Sequence, residues 1–177
     1  MRFFLRLLFT NGIFVYKIVV DSGYKCKKVV IKMLMGEFHH NIDEKMRLII
    51  PSKFRFELGE EIVITRGMEG CLFVYSLKEW EVITNKLKAL PFTKRDARNF
   101  MRLFSSGATI CEFDKQGRIV IPKNLKTYAE LEKECVVLGV GDRLEIWSSS
   151  NWDNFFNENK ENLSDLADHL FDQSIGE

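Results

Sequence analysis

Two Asp–Arg pairs carry the chemistry this chain can do: Asp43 with Arg47, and Asp114 with Arg118, each four positions apart and the pairs 71 positions from one another. Across a tight turn, that spacing makes carboxylate and guanidinium possible cross-strand neighbours. Two chemistries follow. The plain one is an ion pair that steadies a hairpin, worth about 0.2–1 kcal/mol in an exposed setting. The other is an arginine that projects from the turn and grips a phosphate or a guanine edge, for which its planar fork is suited. Asp43 and Asp114 cannot favour phosphate, so in that case they orient the arginines or shape the turn. Further cations lie within or after each pair: Lys45, Lys53 and Arg55 in the first stretch, Lys115, Lys123 and Lys126 in the second. They would form a phosphate-facing surround. Arg66 and Arg143, on later hairpins, have a weaker claim.

The pairs recur because a longer phrase recurs. Ile42-Asp43-Glu44-Lys45-Met46-Arg47-Leu48-Ile49-Ile50-Pro51 returns as Phe113-Asp114-Lys115-Gln116-Gly117-Arg118-Ile119-Val120-Ile121-Pro122. Downstream, Leu72–Tyr75 answers to Leu144–Trp147 and Trp80 to Trp152. Two copies are too few for a solenoid and read as two half-domains of one pseudo-symmetric unit. Each copy predicts a strand, a turn from Asp to Arg, and a second, β-branched strand ended by Pro. Gly117 sits where a positive φ is cheap. Met46 holds that place in the first copy, where a left-handed backbone would cost about 1–2 kcal/mol.

Short amphipathic helices are expected at Ser52–Leu58 and Lys123–Leu131. A second hairpin follows each: Ile62–Thr65 with Leu72–Tyr75, and Cys135–Gly139 with Leu144–Trp147. Between the copies the pattern is helical. Ser76 and Glu79 form a capping-box pair before Leu77, Trp80, Ile83, Leu87 and Leu90. Thr93 and Asp96 suggest a second box before Ala97, Phe100, Met101 and Phe104. Ser150 is expected to cap a last helix carrying Trp152, Phe155, Phe156, Leu163, Leu166, Ala167, Leu170 and Phe171. These aromatic stripes read as core or subunit contacts. The fold class is α+β.

The net charge of +1 hides an asymmetry: residues 1–34 hold seven Lys/Arg against Asp21 alone, hence +6, which leaves −5 on residues 35–177. A mildly acidic body argues against an indiscriminate nucleic-acid coat, so any DNA binding must come from local basic faces. Cys26, Cys71, Cys111 and Cys135 form no C-x-x-C pair, and the last three fall in apolar strand runs, as buried reduced thiols do. His39 and His40 would point to opposite faces of a strand, which argues against a zinc site. No Gly-rich phosphate loop or nucleophile elbow is present, and the three histidines, with His169, match no catalytic pattern. An enzyme, a cofactor and a small-molecule substrate are therefore not expected.

Residues 1–34 are set apart as an N-terminal extension. Its apolar runs, Phe3–Phe9 and Ile13–Val20, are broken by Arg6, Asn11, Gly12 and Lys17, and neither reaches the ~18–20 residues of a membrane span. No small-x-small cleavage site follows. The stretch is read as upstream sequence translated in frame, with the native start at Met33 or Met35.

The ordered motifs Met35–Arg55, Thr65–Gly67, Leu90–Arg98, Ser106–Thr109, Asp114–Arg118 and Leu144–Trp147 together resemble the MraZ family, from about Met33 to Phe171. Met46 is the notable departure, since the family's D-x-x-x-R turn normally has Gly there. The resemblance implies two AbrB/SpoVT-like swapped-hairpin halves, at residues 37–79 and 108–151, forming a pseudo-dimeric barrel. A helical connector would span 80–107, and a C-terminal helix and tail 152–177. It further implies a cytoplasmic, nucleoid-associated ring of identical subunits. Such a ring represses the division and cell-wall gene cluster by binding direct repeats in double-stranded promoter DNA. The D-x-x-x-R loops would make the contacts, which maps to Asp43–Arg47 and Asp114–Arg118. The rival is an AbrB-like scaffold or antitoxin-type partner without specific DNA binding.

Overall fold

The computed structural model describes residues 33–165, 167 and 168, together with the backbone of three strands nearer the N-terminus. Those strands, β1 (Phe4–Thr10), β2 (Ile13–Val19) and β3 (Lys28–Ile31), form an antiparallel sheet in that order. Side chains of residues 1–32, and with them Cys26, lie outside the described residues, as do His169, Leu170 and Phe171 and the side chain of Leu166.

The first repeat runs β4 (Leu34–Asn41), β5 (Arg47–Ile49), α1 (Ser52–Leu58), β6 (Glu61–Arg66), β7 (Leu72–Ser76), α2 (Leu77–Lys88) and α3 (Arg95–Ser105). The second runs β8 (Thr109–Glu112), β9 (Arg118–Val120), α4 (Lys123–Tyr128), β10 (Glu134–Gly141), β11 (Arg143–Ser148) and α5 (Ser149–Asn159). The class is α+β.

Neither half pairs with itself alone. The first strand of each repeat lies against the third strand of the other, β4 on β10 and β8 on β6, while β5 pairs with β9. The registers define a pseudo-twofold axis. In the β5·β9 ribbon, Leu48 sits opposite Ile119, its own repeat equivalent, with Arg47 opposite Val120 and Ile49 opposite Arg118. In the β7·β11 pair, Phe73 sits opposite Glu145, again its equivalent. The six-stranded sheet has the linear order β4-β10-β11-β7-β6-β8, so among the described residues its hydrogen bonding does not close into a barrel.

The strands at the sheet centre are buried on both faces, and period-two alternation sorts their side chains between two cores. Ile62, Ile64, Leu72, Val74, Cys135, Val137, Leu144 and Ile146 face the β5·β9 ribbon and the short helices, meeting Leu48, Ile119, Phe54 and Leu125. Phe73, Tyr75, Val136, Leu138 and Trp147 face the long helices. There Trp80 stacks on Phe104 at 5.5 Å, and Trp147 meets Trp152 at 5.7 Å. The aromatic stripes at Trp80, Phe104 and Trp152 are thus core; Phe156 stays exposed. From β4 to α5 the chain is layered: ribbon with short helices, sheet, long helices.

Several local expectations need correction. Ser76 caps α2 as its box predicts, accepting from the Glu79 amide at 3.2 Å. Thr93 does not cap α3; the chain enters that helix at Lys94 without a side-chain cap. The C-terminus of α3 is instead held from the sheet. Thr65 Oγ1 donates to the Phe104 carbonyl at 2.6 Å and Arg66 Nη1 to that of Leu103 at 2.7 Å, filling acceptors a helix end leaves open. The cap of α5 is Ser148, not Ser150, accepting from the Asn151 amide at 3.4 Å. Helix α4 stops at Tyr128, short of Leu131, because Glu130 turns left-handed at φ 49°. Cys71 and Cys135 are buried, but Cys111 only half so.

Candidate nucleic-acid interface

Each Asp–Arg turn is built around its carboxylate. Asp43 Oδ1 accepts from the Lys45 and Arg47 amides, both at 2.9 Å, while Oδ2 takes Arg47 Nε and Nη2, both at 2.7 Å. Asp114 repeats the pattern. Its Oδ1 accepts from the Gln116 amide at 2.8 Å and the Arg118 amide at 3.0 Å, and its Oδ2 from Arg118 Nε at 2.7 Å and Nη2 at 2.6 Å. Backbone bonds close both loops, Met46 N to Asp43 O at 2.9 Å and Gly117 N to Asp114 O at 2.8 Å. Asp and Arg at this spacing therefore do two jobs at once, since the Asp carboxylate closes the loop and clamps the fork. The third central position is left-handed in both copies, φ 76° at Gly117 and φ 58° at Met46. Met46 thus adopts the glycine geometry and the first turn keeps the shape of the second.

The charges answer to this geometry. The Arg47 guanidinium, then its amide, hold the Asp43 carboxyl below its ordinary range. The Arg118 amide, then its guanidinium, pull Asp114 down to about 2. Arg47 is raised, first by its bond to Asp43, with a smaller contribution from Asp114 across the ribbon.

The ribbon sets the two turns side by side. Ile50 N donates to Gly117 O at 3.0 Å and Ile121 N to Met46 O at 2.8 Å, and Arg118 Nη1 lies 3.9 Å from Asp43 Oδ2. Each arginine turns its Nε–Nη2 edge onto a single carboxylate oxygen, which leaves the Nη1 side for a second acceptor. The turns are not identical in charge: Asp43–Arg47 includes Glu44 and sums to zero, whereas Asp114–Arg118 sums to +1.

The surrounding cations divide. Lys45 and Lys115 are exposed within the turns themselves, and Lys123 is exposed at the start of α4. Lys53 is exposed but its Nζ donates to the Met35 carbonyl at 3.0 Å. Arg55 is half-buried and lies against Gly117 of the other repeat. Lys126 is half-buried on α4. Arg66 is spent on the end of α3, and Arg143 on Glu145 and the face of Phe73, 4.4 Å from its ring centre. His39 pairs with Glu37 at 2.9 Å, and among the described residues no His, Cys, Asp and Glu cluster could hold a metal. A groove of 1440 Å³ beside α1 and α2 is lined by Glu57, Glu60, Glu61, Glu79, Glu112 and Asp142 against the cations Arg55 and Lys78, so its net charge disfavours a polyanion.

Two features escaped the sequence reading. The Arg55–Gly117 approach is cross-repeat and has no sequence signal. The Ser148 cap did have one, because it lies 72 positions after Ser76, in step with the Leu72–Leu144 match.

A family model described as "MraZ protein, putative antitoxin-like" matches residues 33–103 and again 104–174, one match per repeat. The chain belongs to the MraZ family. It is 56% identical over 140 residues to a protein of Ligilactobacillus salivarius (strain UCC118), covering 79% of this chain and 98% of that one. It is 58% identical over 138 residues to one of Limosilactobacillus reuteri (strain DSM 20016), covering 78% and 97%. Both are named "Transcriptional regulator MraZ". MraZ is a family of transcriptional regulators and not of enzymes. The MraZ matches leave residues 1–32 outside. Among the described residues no helix is long and apolar enough to cross a membrane.

Proposed function

We propose that this chain is a sequence-specific regulator of transcription that binds double-stranded promoter DNA through its two D-x-x-x-R turns. The observation that carries the reading is the pairing of β5 with β9, which holds two arginine-bearing turns side by side with lysines in each loop. Arg47 and Arg118 contact DNA through their Nη1 sides. Asp43 and Asp114 aim them. Lys45, Lys115 and Lys123 meet phosphates, with Lys53 and Arg55 behind them.

Two turns per subunit make few contacts on an acidic body, so binding by one subunit is weak and salt-sensitive. A ring of subunits engaging regularly spaced direct repeats raises affinity by effective concentration, about 10²–10⁴-fold when the spacing allows simultaneous engagement. In this reading the ring represses the division and cell-wall gene cluster, and the protein is cytoplasmic and nucleoid-associated, with two swapped-hairpin halves completing a barrel-like unit.

Fluorescence anisotropy with the DNA upstream of this protein's own gene, against shuffled DNA across a salt series, tests it. A salt-dependent preference for the upstream DNA, lost in Arg47→Ala and Arg118→Ala, is the expected result. Equal affinity for a single repeat and for spaced repeats would remove the ring from the mechanism. Undiminished binding by both alanine variants would remove the arginines.

The family's antitoxin-like description favours a second reading, a module that works by binding a protein partner. A stoichiometric partner in a pull-down, with no affinity for DNA, would select it.

A further inference from the structure

Arg55 occupies a place that a phosphate contact would not. A Cβ built on Gly117 would run into the Nη1, Cζ and Nε atoms of Arg55, so the guanidinium plane lies directly on the bare Cα of the second turn. Its Nε is enclosed and has no hydrogen-bond partner. The group is held there by packing, on a helix whose neighbouring Phe54 is sunk in the core. Gly117 stands between Asp114 and Arg118, and its amide closes the loop onto Asp114. Anything that displaces Gly117 therefore displaces the aspartate that aims Arg118.

The pseudo-twofold gives a control within the same molecule. The equivalent of Arg55 on α4 is Lys126, which has no flat face, and the turn related to Gly117 holds Met46, which already carries a side chain. The arginine belongs with the glycine turn and the lysine with the methionine turn.

We propose that Arg55 is a positioning residue for DNA binding. Its guanidinium, from one repeat, braces the Gly117 turn of the other and so fixes where Arg118 points. This rests on the DNA-binding reading above and assigns Arg55 a role different from touching phosphate. A brace depends on a flat group of fixed shape, whereas a phosphate contact depends on charge.

The full chain is assayed by anisotropy on the upstream DNA across a salt series, as parent, Arg55→Ala, Arg55→Lys, Gly117→Ala and the Arg55→Ala/Gly117→Ala double variant. Arg55→Lys is expected to weaken binding as much as Arg55→Ala, with the salt slope of both unchanged. Gly117→Ala is expected to lose about tenfold in affinity, and adding Arg55→Ala to it to restore affinity toward that of Arg55→Ala alone. The proposal is overturned if Arg55→Ala flattens the log–log salt slope by about 0.9, the signature of one lost phosphate contact. It is equally overturned if Arg55→Lys binds like the parent, or if the two alanine changes simply add. Should Gly117→Ala not fold, the Arg55 pair decides by itself. A parent that does not prefer the upstream DNA overturns the function and this proposal together; a parent that does, with an additive cycle, overturns this proposal alone.

Discussion

Truncating Leu48 to alanine tests the pseudo-twofold ribbon on which the site depends. Leu48 and its partner Ile119 are both fully enclosed, opposite one another where β5 crosses β9, and both belong to the core under the sheet. Removing a leucine side chain from such a place forfeits its burial and leaves a cavity, for a loss of about 3 kcal/mol. At about 2–4 °C per kcal/mol for a domain of this size, the thermal midpoint falls by about 6–12 °C. Ile119→Ala should cost a similar amount, because the two sites are equivalent by the repeat. The double variant should lose less than the sum, by about 0.5–2 kcal/mol, since the second truncation enlarges a cavity already present. Circular dichroism on melting the four proteins gives the cycle. DNA affinity should fall as well, although neither residue is exposed, because Arg47 opens β5 and Arg118 opens β9. A loss below about 1 kcal/mol for Leu48→Ala, a typical surface-like outcome, would refute the argument. So would two truncations that add without coupling.

Met46→Gly removes about 1–2 kcal/mol of left-handed strain and gives back about 0.4–1 kcal/mol in unfolded-chain entropy, besides the packing of a half-buried side chain. The denaturant midpoint should therefore move little, and a large loss would show that Met46 packs more than it strains. Gly139→Ala should cost about 1–3 kcal/mol, because a Cβ there meets the backbone of Leu34 and Met35 on the neighbouring strand, which cannot yield as a side chain does. Hydrogen exchange at Leu34–Asn41 should accelerate selectively in that variant. Asp114 titrates at about 2 when folded against an ordinary 3.8, so the stability it supplies is complete above 3.8 and is lost as pH falls through about 2. NMR titration of its carboxyl carbon checks this; a midpoint near 3.8 would mean that Arg118 is not clamped. Asp43 should shift in the same direction.

Much of this was legible in the residues. The twofold recurrence named the elements in order. Alternating apolar strands and helix-spaced aromatics marked the core-forming segments, and Asp and Arg at four-residue spacing marked the two turns on which the proposed site rests. Helix starts were less legible. Ser, Thr and Asp caps compete over neighbouring positions by local hydrogen bonds of similar strength, so Ser148 displaced Ser150 and Thr93 gave way to an uncapped Lys94. The early stop of α4 depended on a single left-handed residue, Glu130, of a type that rarely adopts that conformation.

The sequence by itself determined what is local and periodic: the turn chemistry of each D-x-x-x-R loop, the strand and helix character between them, and the family to which the motifs point. Those properties follow from neighbouring residues, whose preferences act over one turn or one pleat. Only the tertiary structure decided how the copies combine. Strand exchange between repeats, the Leu48–Ile119 axis that puts two arginine turns side by side, and the Arg55 guanidinium on Gly117 all join residues of different repeats. Such contacts leave no periodic trace along the chain, because backbone pairing and close packing constrain shape across space and not composition along sequence.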